Sequence, residues 1–126
     1  MEFLMRRAEQ FEEEAREAFN KGNYNFTLLF VEQALQLYLK YMLAKQVGDF
    51  PKSHGLIRLF EALSSVLGER VISFLSNNRV MLDLLTEAYV GSRYIDIEYG
   101  RETAEEALKF LERFKDEFRN ELHRDS

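Results

Sequence analysis

Two histidines, His54 and His123, are the side chains of this sequence whose ordinary pKa suits proton transfer near neutral pH. There is no cysteine, so thiolate nucleophiles, thiolate metal sites and disulfides are excluded. Neither histidine sits in a Glu-x-x-His pair, which removes a carboxylate-bridged di-metal centre of the bundle type. The densest chemistry lies elsewhere, in Ser-Arg-Tyr-Ile-Asp-Ile-Glu-Tyr-Gly-Arg from Ser92 to Arg101. It has no helical period and reads as one loop carrying Arg93, Tyr94, Asp96, Glu98, Tyr99 and Arg101. A guanidinium offers a planar fork that suits phosphate. A phenol stacks and hydrogen-bonds well, but with a reference pKa of about 10 it is a poor base at neutral pH.

The charge balance sets limits. A net charge of −5 over 126 residues argues against a general coat for nucleic acid, which is normally basic. The signs are unevenly spread. Glu2 to Lys21 carries six acids against four bases, whereas Lys40 to Arg79 carries six bases against three acids. A locally basic surface on an acidic protein can accept a phosphate-bearing ligand. With 46% hydrophobic and 31% charged residues the chain is neither disordered nor membrane-bound, and no apolar run approaches the ~20 residues of a membrane span. A cytoplasmic domain spanning residues 1–126 is expected, since Met1 to Phe19 does not resemble a signal peptide.

The elements that must position these groups are helices. Leu4, Ala8, Phe11, Ala15 and Ala18 mark a first helix by steps of four and three, with Glu12, Glu13, Glu14 and Arg16 facing water. Gly22 supplies its stop and Asn23 the next cap. A second helix from about Tyr24 to Val47 has two apolar faces, Tyr24-Leu28-Val31-Leu35-Tyr38-Met42 and Leu29-Phe30-Ala34-Leu37-Tyr41. Such a helix is central in a bundle or buries its second face in a partner, and a homodimer is the natural result. Gly48 and Pro51 end it. A third helix follows on Leu56, Leu59, Phe60 and Leu63, broken at Gly68 and continued through Val71, Ile72 and Leu75 to Asn77 and Asn78. Another rests on Met81, Leu82, Leu85, Ala88 and Tyr89 and ends near Gly91. Thr103 with Glu106 forms a capping box for the last helix, on Ala104, Ala107, Leu108, Leu111, Phe114, Phe118 and Leu122. Short connections force antiparallel neighbours, so the fold class is all-α: an up-and-down bundle of four main helices plus one or two short ones.

Several strings resemble one family. Ala8-Glu9 and Phe11 to Ala15, then Gly22-Asn23-Tyr24, are similar to the opening helix and turn of HEPN domains (higher eukaryotes and prokaryotes nucleotide-binding domains). Phe30-Val31-Glu32-Gln33-Ala34-Leu35 and Leu39-Lys40-Tyr41-Met42-Leu43 resemble their most recognisable helix. Pro51-Lys52-Ser53-His54-Gly55-Leu56 resembles the family's Lys-Thr-His-x-Leu junction. Tyr89-Val90-Gly91-Ser92-Arg93-Tyr94 resembles its Arg-Tyr-Pro signature, with Ile95 where proline is usual. The resemblance implies a dimerising bundle, often encoded beside a minimal nucleotidyltransferase in a toxin–antitoxin-like pair. It also implies, for many members, a metal-independent ribonuclease whose Arg and His are separated by four to six residues and meet their copies across the dimer.

That motif is absent in its usual form. The positions that would hold the arginine are Val47, Gly48 and Asp49 for one histidine and Asp116, Glu117 and Phe118 for the other; Arg119 and His123 have three residues between them. Arg93 and Tyr99 keep the family spacing with Tyr in place of His, which favours binding a nucleotide over cleaving RNA. The expectation is therefore a non-catalytic homodimeric module without a metal or cofactor. Arg93, Tyr94, Tyr99, His54 and Lys40 are its candidate ligand residues, and its partner is a nucleotide, an RNA or a nucleotidyltransferase. The alternative is a divergent ribonuclease using Arg93 with Tyr94, Tyr99 or His54. Plainer readings stand beside these: an ion pair for Arg93, half-buried packing for both tyrosines, a helix start for His54, a stem laid along an apolar face for Lys40, and a solvated face for Glu12 to Glu14.

Overall fold

In the computed structural model, residues 1–52, 55–94 and 96–123 are described. They form α1 (Glu2–Asn20), α2 (Tyr24–Val47), α3 (Leu56–Leu67), α4 (Glu69–Asn77), α5 (Arg79–Tyr94), α6 (Arg101–Glu117) and α7 (Arg119–Leu122), with no strand among the described residues. The all-α bundle expected from periodicity is what the chain adopts. No helix among the described residues is long and apolar enough to cross a membrane.

The punctuation of the helices follows backbone chemistry. After α1, Gly22 takes φ +77°, its N–H donates to the Phe19 carbonyl and the Asn23 N–H donates to the Ala18 carbonyl, a Schellman closure. Gly48 ends α2 in the left-handed region at φ +82°. Three expectations at helix ends fail. Asn23 precedes α2 without a side-chain cap; instead the Thr27 hydroxyl, one turn on, donates back to the Asn23 carbonyl at 3.1 Å. The Thr103–Glu106 box does not open α6, which begins two residues earlier behind Gly100. Gly91 does not stop α5. It is buried inside the helix, where a Cβ would stand 3.8 Å from Ile97 Cδ1, so it serves close packing against the next segment.

α2 is the axis of the molecule. It packs on α1, α3, α5, α6 and α7, and Leu28, Val31, Leu35, Leu39 and Met42 are shut away from solvent. Of its second face, Ala34 and Tyr41 are buried within the chain, while Leu29, Phe30 and Leu37 are half-buried. An aromatic cluster ties α3, α4 and α6 together: Phe74 of α4 meets Phe118 at 5.3 Å and Phe60 of α3 at 5.9 Å, and Phe114 meets Phe118 at 5.2 Å. Such ring pairs add about 0.5–1.5 kcal/mol each beyond their buried area.

Candidate functional site

The stretch read as one loop is split. Arg93 and Tyr94 close α5, residues 96–100 connect, and Arg101 opens α6. Asn25, the second residue of α2, holds the connector from its far side. Its Nδ2 donates to the Ile97 carbonyl at 2.7 Å, and its Oδ1 accepts the Tyr99 N–H at 2.8 Å. Both backbone groups are part-buried, so one amide side chain satisfies a donor and an acceptor that helix and sheet leave unpaired.

This clamp fixes Tyr99. Its ring packs on the core, and its hydroxyl donates to Glu87 Oε1 on α5 at 3.3 Å. Burial raises the Tyr99 pKa, and the neighbouring Glu87 charge and hydrogen bond raise it further. The phenol is held as a proton donor, the opposite of a base. Glu87 and Tyr94 are seven residues apart, two turns of one helix face. Tyr94 ends that face and is 81% exposed. Arg101, in contrast, lies over the Phe19 ring at 5.0 Å. His54 and the side chain of Arg93 lie outside the described residues.

Lys40 stands apart from this surface. It lies fifteen residues beyond Asn25 on α2, roughly 22 Å along the axis at 1.5 Å per residue. Only 8% of it is exposed, and its ammonium sits 5.9 Å from the centre of the Phe50 ring. Burial lowers its pKa, and the charge of Glu32 partly opposes that. Glu32, Gln36 and Lys40 repeat every four residues, a polar line inside an otherwise apolar helix. The Glu32 carboxylate accepts hydrogen bonds from the Gln33 and Gln36 amides at 2.8 and 2.6 Å.

The acidic run of α1 is not wholly solvated. Glu12 is buried, accepting the Tyr38 hydroxyl at 2.7 Å, Lys115 Nζ on both oxygens at 3.0 Å, and Arg16 at 3.2 Å. Arg16 also pairs with Glu112. Burial alone would push the Glu12 pKa up. The donors Tyr38, Lys115 and Arg16, with the Lys115 charge, outweigh it and hold the carboxyl below its usual range. Burial pushes the Tyr38 phenol upward, and Glu12 adds to that. Position 12 falls on the line Met5-Ala8-Glu12-Ala15, so helical phase alone marks it as inward; its charge hides the signal.

Beside this network is a cavity of about 590 Å³ whose walls include Glu9, Tyr38, Lys115, Asp116, Arg119 and His123. The Arg119–His123 pair, one residue short of the family spacing, thus shares one hollow with a tyrosine and an ammonium. Arg119 there pairs with Asp116 at 2.9 Å.

These features define an all-helical bundle with an exposed tyrosine beside a clamped one and no histidine at the family spacing from Arg93. The model of the HEPN domain family matches residues 1–121, and the chain belongs to that family. A HEPN domain is a nucleotide- or RNA-related module. Neither the curated proteins nor the solved structures include a match to this chain.

Proposed function

We propose that this chain is a non-catalytic HEPN module that binds a nucleotide or RNA-type ligand at the end of α5. The observation that carries the reading is the fixed Tyr99. Five residues separate it from Arg93, the spacing at which the resemblance implies a histidine in the family's ribonucleases, and its pKa is raised by burial and by Glu87. Tyr94, exposed on the same helix face as Glu87, is the stacking surface for a base; stacking on an aromatic side chain contributes about 1–3 kcal/mol per base. Arg93 and His54 join this ligand set on sequence grounds, as the phosphate fork and a second polar contact. Lys40 is too far along α2 to share a small ligand with Tyr99.

The same proposal includes a homodimer and a separately encoded minimal nucleotidyltransferase as partner, in a toxin–antitoxin-like pair within the cytoplasm. Support for a dimer comes from rings on the outer side of α1 and α2. Phe26 is 54% exposed, stacks on Phe30 at 5.9 Å, and Phe30 meets Phe11 at 6.1 Å. Equilibrium titration with nucleotides and short RNA, with sedimentation of the free and bound protein, tests the reading. Absence of binding at millimolar nucleotide, or a strict monomer, counts against it.

A second reading is a divergent ribonuclease, favoured by Arg119 and His123 lining one cavity with Lys115 and Tyr38. Labelled RNA incubated with the protein decides it. Cleavage that disappears in His123→Ala and persists in Tyr94→Ala would replace the binding reading.

A further inference from the structure

The C-terminal half of α2, the turn after it and α3 enclose an apolar groove of about 350 Å³ lined by Leu43, Val47, Phe50, Pro51, Ala62 and Val66. Its rims are uncovered: Val47 and Val66 are both exposed. Three cations outside its lining are placed near it by helix phase and sequence. Lys40 lies on the α2 line of Leu43 and Val47, with its ammonium by the Phe50 ring. Arg58 lies on the α3 line of Ala62 and Val66, four residues before Ala62, and Lys52 follows Pro51. Lys40, Lys52 and Arg58 make neither an ion pair nor a hydrogen bond among the described residues. The acid on the lining is Asp49, whose Oδ1 already accepts the Phe50 N–H at 2.8 Å. No buried side-chain donor among the described residues is left unpaired, so the Lys40 ammonium keeps access to solvent, and its N–H groups can donate to an incoming carboxylate.

We propose that this groove docks an acidic amphipathic helix of a protein partner, its apolar side chains seated between α2 and α3 and its carboxylates on Lys40, Lys52 and Arg58. The walls are two helices and no sheet edge is present among the described residues, so recognition follows the helix-in-groove mode and not strand addition. The hollow is too open to enclose most of a small ligand, as a small-molecule pocket does. A second copy of this chain offers acids on α1, but the apolar line of α1 is already buried in its own bundle. The inference goes beyond nucleotide binding at α5, so its failure leaves that reading intact.

The test uses the full chain and two fluorescent helical peptides with the same leucine stripe, flanked by Glu in one and by Lys in the other. Fluorescence anisotropy is expected to show micromolar binding of the Glu peptide and at least about tenfold weaker binding of the Lys peptide. Lys40→Gln should weaken the Glu peptide about five- to tenfold, and Val66→Asp by more, with circular dichroism confirming the fold. Arg58→Glu, at an exposed position that does not threaten folding, should weaken it too. Equal affinity for both peptides, no binding of the Glu peptide at millimolar concentration, or indifference to Val66→Asp overturns the proposal. Displacement of the peptide by decanoate, which would make the groove a small-amphiphile site, also overturns it. So does a dimer that Val66→Asp turns into a monomer, since the face would then belong to a second copy.

Discussion

The Tyr38 hydroxyl donates to Oε1 of Glu12 across 2.7 Å, tying α2 to α1 where both side chains are buried. Lys115 reaches the same carboxylate from α6, so one carboxylate on α1 joins three helices. A hydrogen bond to a charged acceptor contributes about 1.5–3 kcal/mol, and an unpaired buried carboxylate is costlier than the bond is worth. The network therefore specifies how α1 and α6 sit on α2, which non-directional apolar packing does not do by itself.

Removing either end of that bond should be felt. Tyr38→Phe is expected to lower unfolding stability by about 1.5–3 kcal/mol, because Glu12 keeps Lys115 and Arg16. Glu12→Ala strands the Tyr38 hydroxyl and removes the carboxylate from Lys115, and should cost about 2–4 kcal/mol. The double substitution should cost less than the sum, as coupled neighbours do. Urea titration of the three variants measures the coupling, and strict additivity would show that the two groups do not interact.

The same carboxylate gives stability a pH dependence. Its pKa in the folded chain lies below the ordinary value of 4.5. Its contribution is thus complete above about pH 4.5 and is lost as pH falls through the lower folded value. Glu12→Gln should be less stable than the parent at neutral pH, and the gap should narrow below pH 4.5. Denaturant midpoints taken from pH 7 down to pH 3 test this; a gap that widens on acidification would reverse the sign assigned to Glu12.

Much of the fold is written locally, and what is not depends on distant chain. Gly22 and Gly48 close helices because a left-handed turn is a property of a few adjacent residues. Gly91 looks the same in sequence, yet its role depends on Ile97 folding back against it. Glu12 reads as solvated beside the acidic Glu13 and Glu14, although its helical phase matches Met5, Ala8 and Ala15. The partners that make an inward carboxylate tolerable, Tyr38 and Lys115, are 26 and 103 residues away. The Tyr99 clamp depends in the same way on Asn25, 74 residues earlier, and no local pattern joins them.

That clamp makes a separate prediction. Asn25→Ala removes the partners of the Ile97 carbonyl and the Tyr99 N–H together, and part-buried groups left unpaired cost about 1–3 kcal/mol. The loss should be local, because the helices on either side keep their own packing. Amide exchange at Tyr99 should rise sharply in Asn25→Ala. In Asn25→Asp it should rise less, since a carboxylate still accepts the Tyr99 N–H while repelling the Ile97 carbonyl. Unchanged exchange in Asn25→Ala would mean that the clamp does not order the connector.

The two tyrosines should separate in ligand binding. Tyr94 is exposed, and removal of its ring in Tyr94→Ala should weaken a bound nucleotide or RNA by about 1–3 kcal/mol, a loss of about five- to 150-fold in affinity. Tyr94→Phe keeps the ring and should bind within about twofold of the parent. Tyr99 acts through its position: Tyr99→Phe loses only the hydrogen bond to Glu87 and keeps the backbone held by Asn25, so affinity should change little. Because that hydroxyl is a donor with a raised pKa, Tyr99→Phe should also leave the pH profile of binding unchanged between pH 6 and 8. Isothermal titration of the four proteins across that range reads both effects. Equal affinity for Tyr94→Ala and the parent would move the ligand away from the end of α5.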